Sequence, residues 1–214
     1  MAQTQLYTEL ETRLNELRIH MLPDPFSPTG TYDDKELDLA KGYILLAHAE
    51  FESYIEEVSK NHIIDMVSQW KRNSKLSVSL LSFLCCYHSS WSINDEQSNE
   101  DIIRIAKTRN NVKDSAYEVV DLALKQYMTK VKDNNGIKES NFKTLVLPTG
   151  IMIDELDSTL LDKLDLFGIS RGDIAHLSKK RVTKQLNPQD EYNNVNFILN
   201  ALKDFDLKLQ ACKV

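Results

Sequence analysis

The sequence predicts an all-α fold. Apolar residues recur at helical spacing through most of the chain, turn-forming clusters fall between those stretches, and glycine and proline are scarce. Only 6 Gly and 5 Pro occur in 214 residues, too few for the many turns of an all-β domain. A hydrophobic fraction of 42% supplies surface for a sizeable core, and 27% charged residues, mixed in sign, suit solvated helix faces.

Residues 4–21 place Leu6, Leu10, Leu14 and Leu17 on one stripe of an amphipathic helix. The stretch LPDPFSPTGTY, with three prolines and a glycine, ends it. Asp33 and Asp34 open a second helix as cap and first-turn acids. Apolar positions including Ile44, Phe51, Ile55, Val58, Ile63 and Val67 carry that helix to about Trp70, where KRNSK breaks it. Its length makes it the expected spine of the fold. Residues 76–87 read as a short buried helix, HSSWSINDEQSN as a loop, and 101–132 as another long helix stopped by KDNNG.

FKTLVLPTGI is β-branched and broken by proline, and reads as an extended connector. Over 152–167, Leu156, Leu160, Leu161 and Leu164 share a helical face. Gly168 is the expected stop of that helix, and Ser170 the expected N-cap of the next, which carries RGDIAHL. NPQDE caps a last helix, with Pro188 in its first turn, that runs through Val195, Ile198, Leu202, Phe205 and Leu209. No repeat, low-complexity tract or compositional shift is visible. The expectation is a single domain over 1–214, with an N-terminal helix and loop over 1–32 and the core over 33–214.

A net charge of −6 does not favour nonspecific nucleic-acid binding, so a polyanionic partner must meet a local basic patch. Cys85, Cys86 and Cys212 have no metal-ligand spacing. The adjacent pair, in apolar SLLSFLCCY, reads as buried free thiols in a reducing compartment. The N-terminal MAQTQLYTELETRLNELR has no apolar core of a signal peptide, and no uncharged run approaches the ~20 residues of a membrane span. A soluble, cytoplasmic protein with no membrane association is expected.

The stretch DKLDLFGISRGDIAHLS holds R-x-x-x-x-H as Arg171 and His176, in a late helix that follows a leucine-rich one. With AKGYILLAHAEFESYIEEV upstream, the VLPTGI connector, DELDSTLLDKL and the tail NPQDEYNNVNFILNAL, it resembles HEPN domains over about residues 33–209. The subgroup it resembles is the RiboL-PSP or MAE-type HEPN proteins found with restriction and defence systems. The resemblance implies an antiparallel helical bundle of HEPN type with additional helices, a symmetric homodimer, and a site built on Arg171 and His176. It also implies that Glu52, in FESYIEE, faces the motif arginine or histidine. Active members often carry Asn, Asp or His directly after the arginine; here that residue is Gly172, and Asp173 follows one later.

The residue types fit cleavage of RNA. RNA carries its own nucleophile, the 2′-hydroxyl, so the reaction needs proton transfer and charge stabilisation at the phosphate. Histidine suits proton transfer near neutral pH, and arginine suits a phosphate undergoing substitution. Acid and base roles want two groups, and a two-fold dimer supplies two copies of His176. On an ideal helix, positions five apart lie about 140° apart. Either Arg171 sits in an irregular first turn, or the two residues flank a groove. Against a functional role, Arg171 could pair with Asp165 or Asp173, and His176 could be a core histidine.

Lys179, Lys180, Arg181 and Lys184 follow the motif and form the local positive field that an acidic chain needs to hold RNA. Arg104, Lys107, Arg109 and Lys113 read as a solvated stripe. His48 with Glu52, and His62 with Asp65, have spacings compatible with a metal, but no third ligand matches, so neither metal nor cofactor is expected. The function expected is a metal-independent endoribonuclease, a toxin or antiphage-defence effector, with RNA, a second copy and an antitoxin or defence-system protein as partners. The alternative is a noncatalytic HEPN module that binds RNA or protein and dimerises.

Overall fold

The computed structural model describes residues 2–87, 100, 112–176 and 186–212, with the side chains of 112–115 and 176 outside that set. The helices are α1 (Gln5–Met21), α2 (Asp34–Asn73), α3 (Val78–Tyr87), α4 (Val112–Lys132), α5 (Glu139–Val146), α6 (Leu160–His176) and α7 (Pro188–Ala211). Two 3-10 turns, Leu147–Thr149 and Ile153–Glu155, connect α5 to α6. The fold is all-α, with no strand among the described residues and no helix there long and apolar enough to cross a membrane.

The 40 residues of α2 span about 60 Å at 1.5 Å per residue. A capping box starts it: Asp33 accepts the N–H of Glu36, and the Glu36 carboxylate accepts the N–H of Asp33. Ser74, in the left-handed region at φ 55°, ends it inside KRNSK. Every other helix among the described residues packs on α2, so it is the spine that its length suggested.

The first helix runs antiparallel to both α2 and α7. Tyr7 meets Tyr54 edge-on and Arg13 pairs with Glu50. Toward the far end Met21 packs at Gly42, and Arg18 lies over the Tyr192 ring. Asp206 of α7 ties these elements together. Its buried carboxylate accepts the backbone N–H of Thr4 (2.7 Å), the Thr4 hydroxyl (2.6 Å) and the Tyr54 hydroxyl (2.9 Å). The first turn of α1 has no acid of its own, so Asp206 places negative charge at that positive helix end from across the fold.

Three expectations are corrected. The stretch FKTLVLPTGI is not extended: α5 continues through Val146 and a 3-10 turn follows. Burial of Phe142, Leu145 and Val146 on one helical stripe outweighs β-branched propensity, and Pro148 sits at the start of the turn, where its missing N–H costs nothing. Gly150 closes the turn at φ 91°, where a Cβ would also come within 3.2 Å of the Ser79 backbone.

Second, 152–167 is not one helix. A 3-10 turn occupies Ile153–Glu155, and α6 begins at Leu160 and passes straight through Gly168 and Ser170. Gly168 is used for close approach: a Cβ there would lie 2.9 Å from Lys138 Cγ. Third, Cys85 and Cys86 are exposed. Only Ser79, Leu80 and Phe83 of α3 are buried, so a ten-residue helix that reads as apolar all round is covered on one side. The loop expected at HSSWSINDEQSN and the first half of the helix expected over 101–132 lie outside the described residues.

Candidate functional site

The site is built where α6 crosses α2. The inward stripe of α2 includes Ile44, Ala47, His48, Phe51 and Ile55, all essentially buried. The α6 stripe is Leu160, Leu164 and Phe167. Phe167 stacks on the His48 imidazole, with centroids 6.2 Å apart and planes 17° apart, and meets Phe51 edge-on at 5.9 Å. One turn beyond Phe167 is Arg171, half-buried. Its guanidinium charge acts on both His48 and Glu52.

Three polar side chains one turn apart, His48, Glu52 and Glu56, line this side of α2. His48 is 3% exposed and Glu52 19%, and His48 Nδ1 lies 3.6 Å from Glu52 Oε2. Glu56 accepts a 2.7 Å hydrogen bond from the Asn134 side chain. Asn134 also donates to the Gly136 carbonyl and accepts from Asn141, which pins the α4–α5 loop beside the site.

Electrostatics follow from burial and these neighbours. Burial first, and Arg171 second, pull His48 from 6.5 down to about 4, so its imidazole is neutral at physiological pH. Burial and then the Glu56 charge raise the Glu52 pKa, and Arg171 opposes them.

Arg171 and His176 lie on one unbroken helix. The alternative of an irregular turn at Arg171 is thereby removed, and positions five apart stand about 140° apart on such a helix. His176 is the last residue of α6, and its side chain lies outside the described set. Gly172 opens onto free space, with nothing within 4 Å of a Cβ built there, and Asp173 is exposed. Asp165 accepts the N–H of Glu139 at 2.6 Å, at the start of α5.

Lys179, Lys180, Arg181 and Lys184 lie outside the described residues, as do Arg104, Lys107 and Arg109; Lys113 is on α4 with its side chain outside them. Glu50, two residues before Glu52, faces the other way toward Arg13. His62 is buried and hydrogen-bonded to Ser79 Oγ at 2.9 Å. Among the described residues no three His, Cys, Asp or Glu side chains group closely enough to hold a metal ion.

The structure thus sets Glu52 within electrostatic reach of Arg171, with no ion pair between them, and adds His48, which the sequence had offered only as a metal ligand. A signal for His48 was present. It is a polar residue four positions after Ile44 and seven before Ile55, squarely on the apolar stripe.

A family model described as RiboL-PSP-HEPN matches residues 8–211, from within α1 to the end of α7. No curated protein and no solved structure matches the chain.

Proposed function

The chain belongs to the RiboL-PSP-HEPN family, and from that premise we propose that it is a metal-independent endoribonuclease acting as a homodimer, in the setting of a toxin or antiphage-defence effector. The observation that carries the reading is Arg171, on the same continuous helix as His176, backed by the acidic side of α2 at Glu52. In the reaction the RNA 2′-hydroxyl attacks the adjacent phosphorus. One His176 takes the hydroxyl proton, and the P–O5′ bond breaks as the other His176 protonates the departing 5′-oxygen. The products are a 2′,3′-cyclic phosphate and a 5′-hydroxyl. Arg171 stabilises the charge on the crowded phosphate. Asp173, exposed on the next residue but one, is placed to contact the RNA or the opposite subunit, and Lys179, Lys180, Arg181 and Lys184 hold the strand.

The dimer follows from the number of proton-transfer groups. Among the described histidines His48 lies within reach of the Arg171 charge, but it is buried, with its pKa lowered to about 4, which suits it poorly to proton transfer on a polynucleotide. In this reading the second histidine is His176 of a second chain. A noncatalytic HEPN module that binds RNA or a partner protein is the second reading. What favours it is Gly172: the space after the motif arginine is empty here, where active members often place Asn, Asp or His.

The test pairs cleavage with thermal melting. His176→Ala should lower the cleavage rate by about 10²–10⁴-fold, and Arg171→Ala by the equivalent of about 3–4 kcal/mol. Melting temperature and the dimeric mass in light scattering should be kept. A folded, dimeric His176→Ala chain that cuts RNA like the parent removes the assignment. A parent chain that binds RNA without cutting it establishes the second reading.

A further inference from the structure

Gly168 sits inside α6, where a glycine is destabilising relative to alanine. Its φ is not positive, so the backbone does not call for it. A neighbour does. A Cβ there would lie 2.9 Å from Lys138 Cγ, 3.4 Å from Cε and 3.8 Å from Cδ. The aliphatic stem of Lys138 is therefore laid across α6 at this residue. Its ammonium is one bond beyond Cε, and Lys138 is exposed. Residues three apart on a helix have Cβ positions about 5–6 Å from each other, so the stem crosses α6 one turn before Arg171.

The backbone that carries Lys138 is fixed on both sides. Ile137 is buried, and the Glu139 N–H donates to Asp165 Oδ1 of α6 at 2.6 Å. Asn134 donates to Glu56 of α2 at 2.7 Å and to the Gly136 carbonyl at 3.0 Å. The acids of this corner are engaged elsewhere: Glu139 pairs with Lys143, Asp165 accepts the Glu139 N–H, and Glu56 accepts from Asn134. Among the described residues no carboxylate pairs with the Lys138 ammonium. An aliphatic side chain would cover α6 equally well. A charged end held on a fixed backbone, with no acid beside it, suits an anion.

We propose that Lys138 binds a phosphate of the RNA strand next to the one at Arg171, so that the strand runs along α6 from Arg171 toward Gly168. The inference deepens the ribonuclease reading and rests on it for the identity of the polyanion. Neighbouring phosphates of a single strand match the one-turn spacing between Arg171 and the Lys138 crossing. The ammonium is a point charge that takes any phosphate oxygen, so the contact positions the strand without reading its bases. Gly168 sets the place of that contact by letting the stem lie flat on α6.

The test reads binding and cleavage separately. The binding probe is a fluorescein-labelled 2′-O-methyl uridine dodecamer, which lacks the nucleophilic hydroxyl, so the parent protein itself can be titrated. Fluorescence anisotropy follows it in salt from about 50 to about 200 mM. Lys138→Met keeps a stem over Gly168 and loses the charge. Its slope of log K against log salt should shrink by about 0.7, the share of one phosphate on a single strand, at the melting temperature of the parent. Lys138→Arg should keep the parent slope. Cleavage of unmodified RNA by Lys138→Met should show a raised KM and an unchanged kcat, because a phosphate away from the reaction is held alike in ground and transition states. A parent slope in Lys138→Met overturns the proposal, as does a parent chain that does not bind the probe. An equal loss in Lys138→Arg with a lower melting temperature overturns it in favour of a packing role, and a loss confined to kcat overturns the assignment to a neighbouring phosphate. If the parent binds the probe but cuts no RNA, the ribonuclease reading fails while the salt slope still decides Lys138.

Discussion

Acidification probes the buried imidazole of His48 through stability. In the folded chain its pKa lies at about 4, against an ordinary 6.5, because burial and then Arg171 disfavour the charged ring. Between those values the unfolded chain binds a proton there that the folded chain refuses, so stability falls as pH falls. The contribution is complete above about pH 6.5 and is lost progressively toward pH 4. At about 1.36 kcal/mol per pH unit, the gap corresponds to about 3 kcal/mol, a substantial part of an ordinary domain's 5–15 kcal/mol. The side chain is 3% exposed, so solvent screening takes little from that figure. Urea unfolding followed by circular dichroism, in half-unit steps from neutral pH to about pH 4, measures it in the parent and in His48→Phe. Carboxylates distant from His48 titrate in both chains and cancel in the difference. The parent should lose about 3 kcal/mol more than the variant over that range. Stability curves that run parallel would refute the reasoning, because they would mean that the ring is already charged, or freely solvated, in the folded state.

Cleavage of RNA, where the products end in 2′,3′-cyclic phosphate, should persist in EDTA, because nucleophile and proton-transfer groups are all supplied by RNA and protein; loss in chelator and recovery with magnesium or manganese would contradict the scheme. Asp206→Ala should destabilise the fold by about 3 kcal/mol or more, since it strips three hydrogen bonds from a buried carboxylate and leaves the Tyr54 hydroxyl and Thr4 without their acceptor; a urea midpoint within error of the parent would argue that the tie between α1, α2 and α7 contributes nothing. Gly172→Ala should keep the fold and raise stability by up to about 1 kcal/mol, as a helical glycine facing open space gains from a Cβ; a fall in melting temperature would show that the position is not open.

Helix content and the identity of the spine were legible in the sequence because they depend on local periodicity and capping. The Asp33–Glu36 box, the apolar stripe of α2 and the Pro188 start of α7 are written within a few residues of where they act. The R-x-x-x-x-H motif and Glu52 were legible through resemblance, and the family match over 8–211 bears out that resemblance. What the sequence left undecided depends on contacts between distant segments. Gly168 reads as a stop, yet α6 runs through it, and Lys138 packs where a side chain would stand. Cys85 and Cys86 read as buried, yet only one side of α3 is covered. FKTLVLPTGI reads as extended, yet Phe142 and Val146 find a core to enter as a helix. The site shows the same division. The residues Arg171 and Glu52 can be picked from the sequence, but they come within electrostatic reach only because α6 crosses α2 where Phe167 stacks on His48. The apolar stripe marks His48 for burial, but only the crossing brings Arg171 to it, and both hold its pKa down.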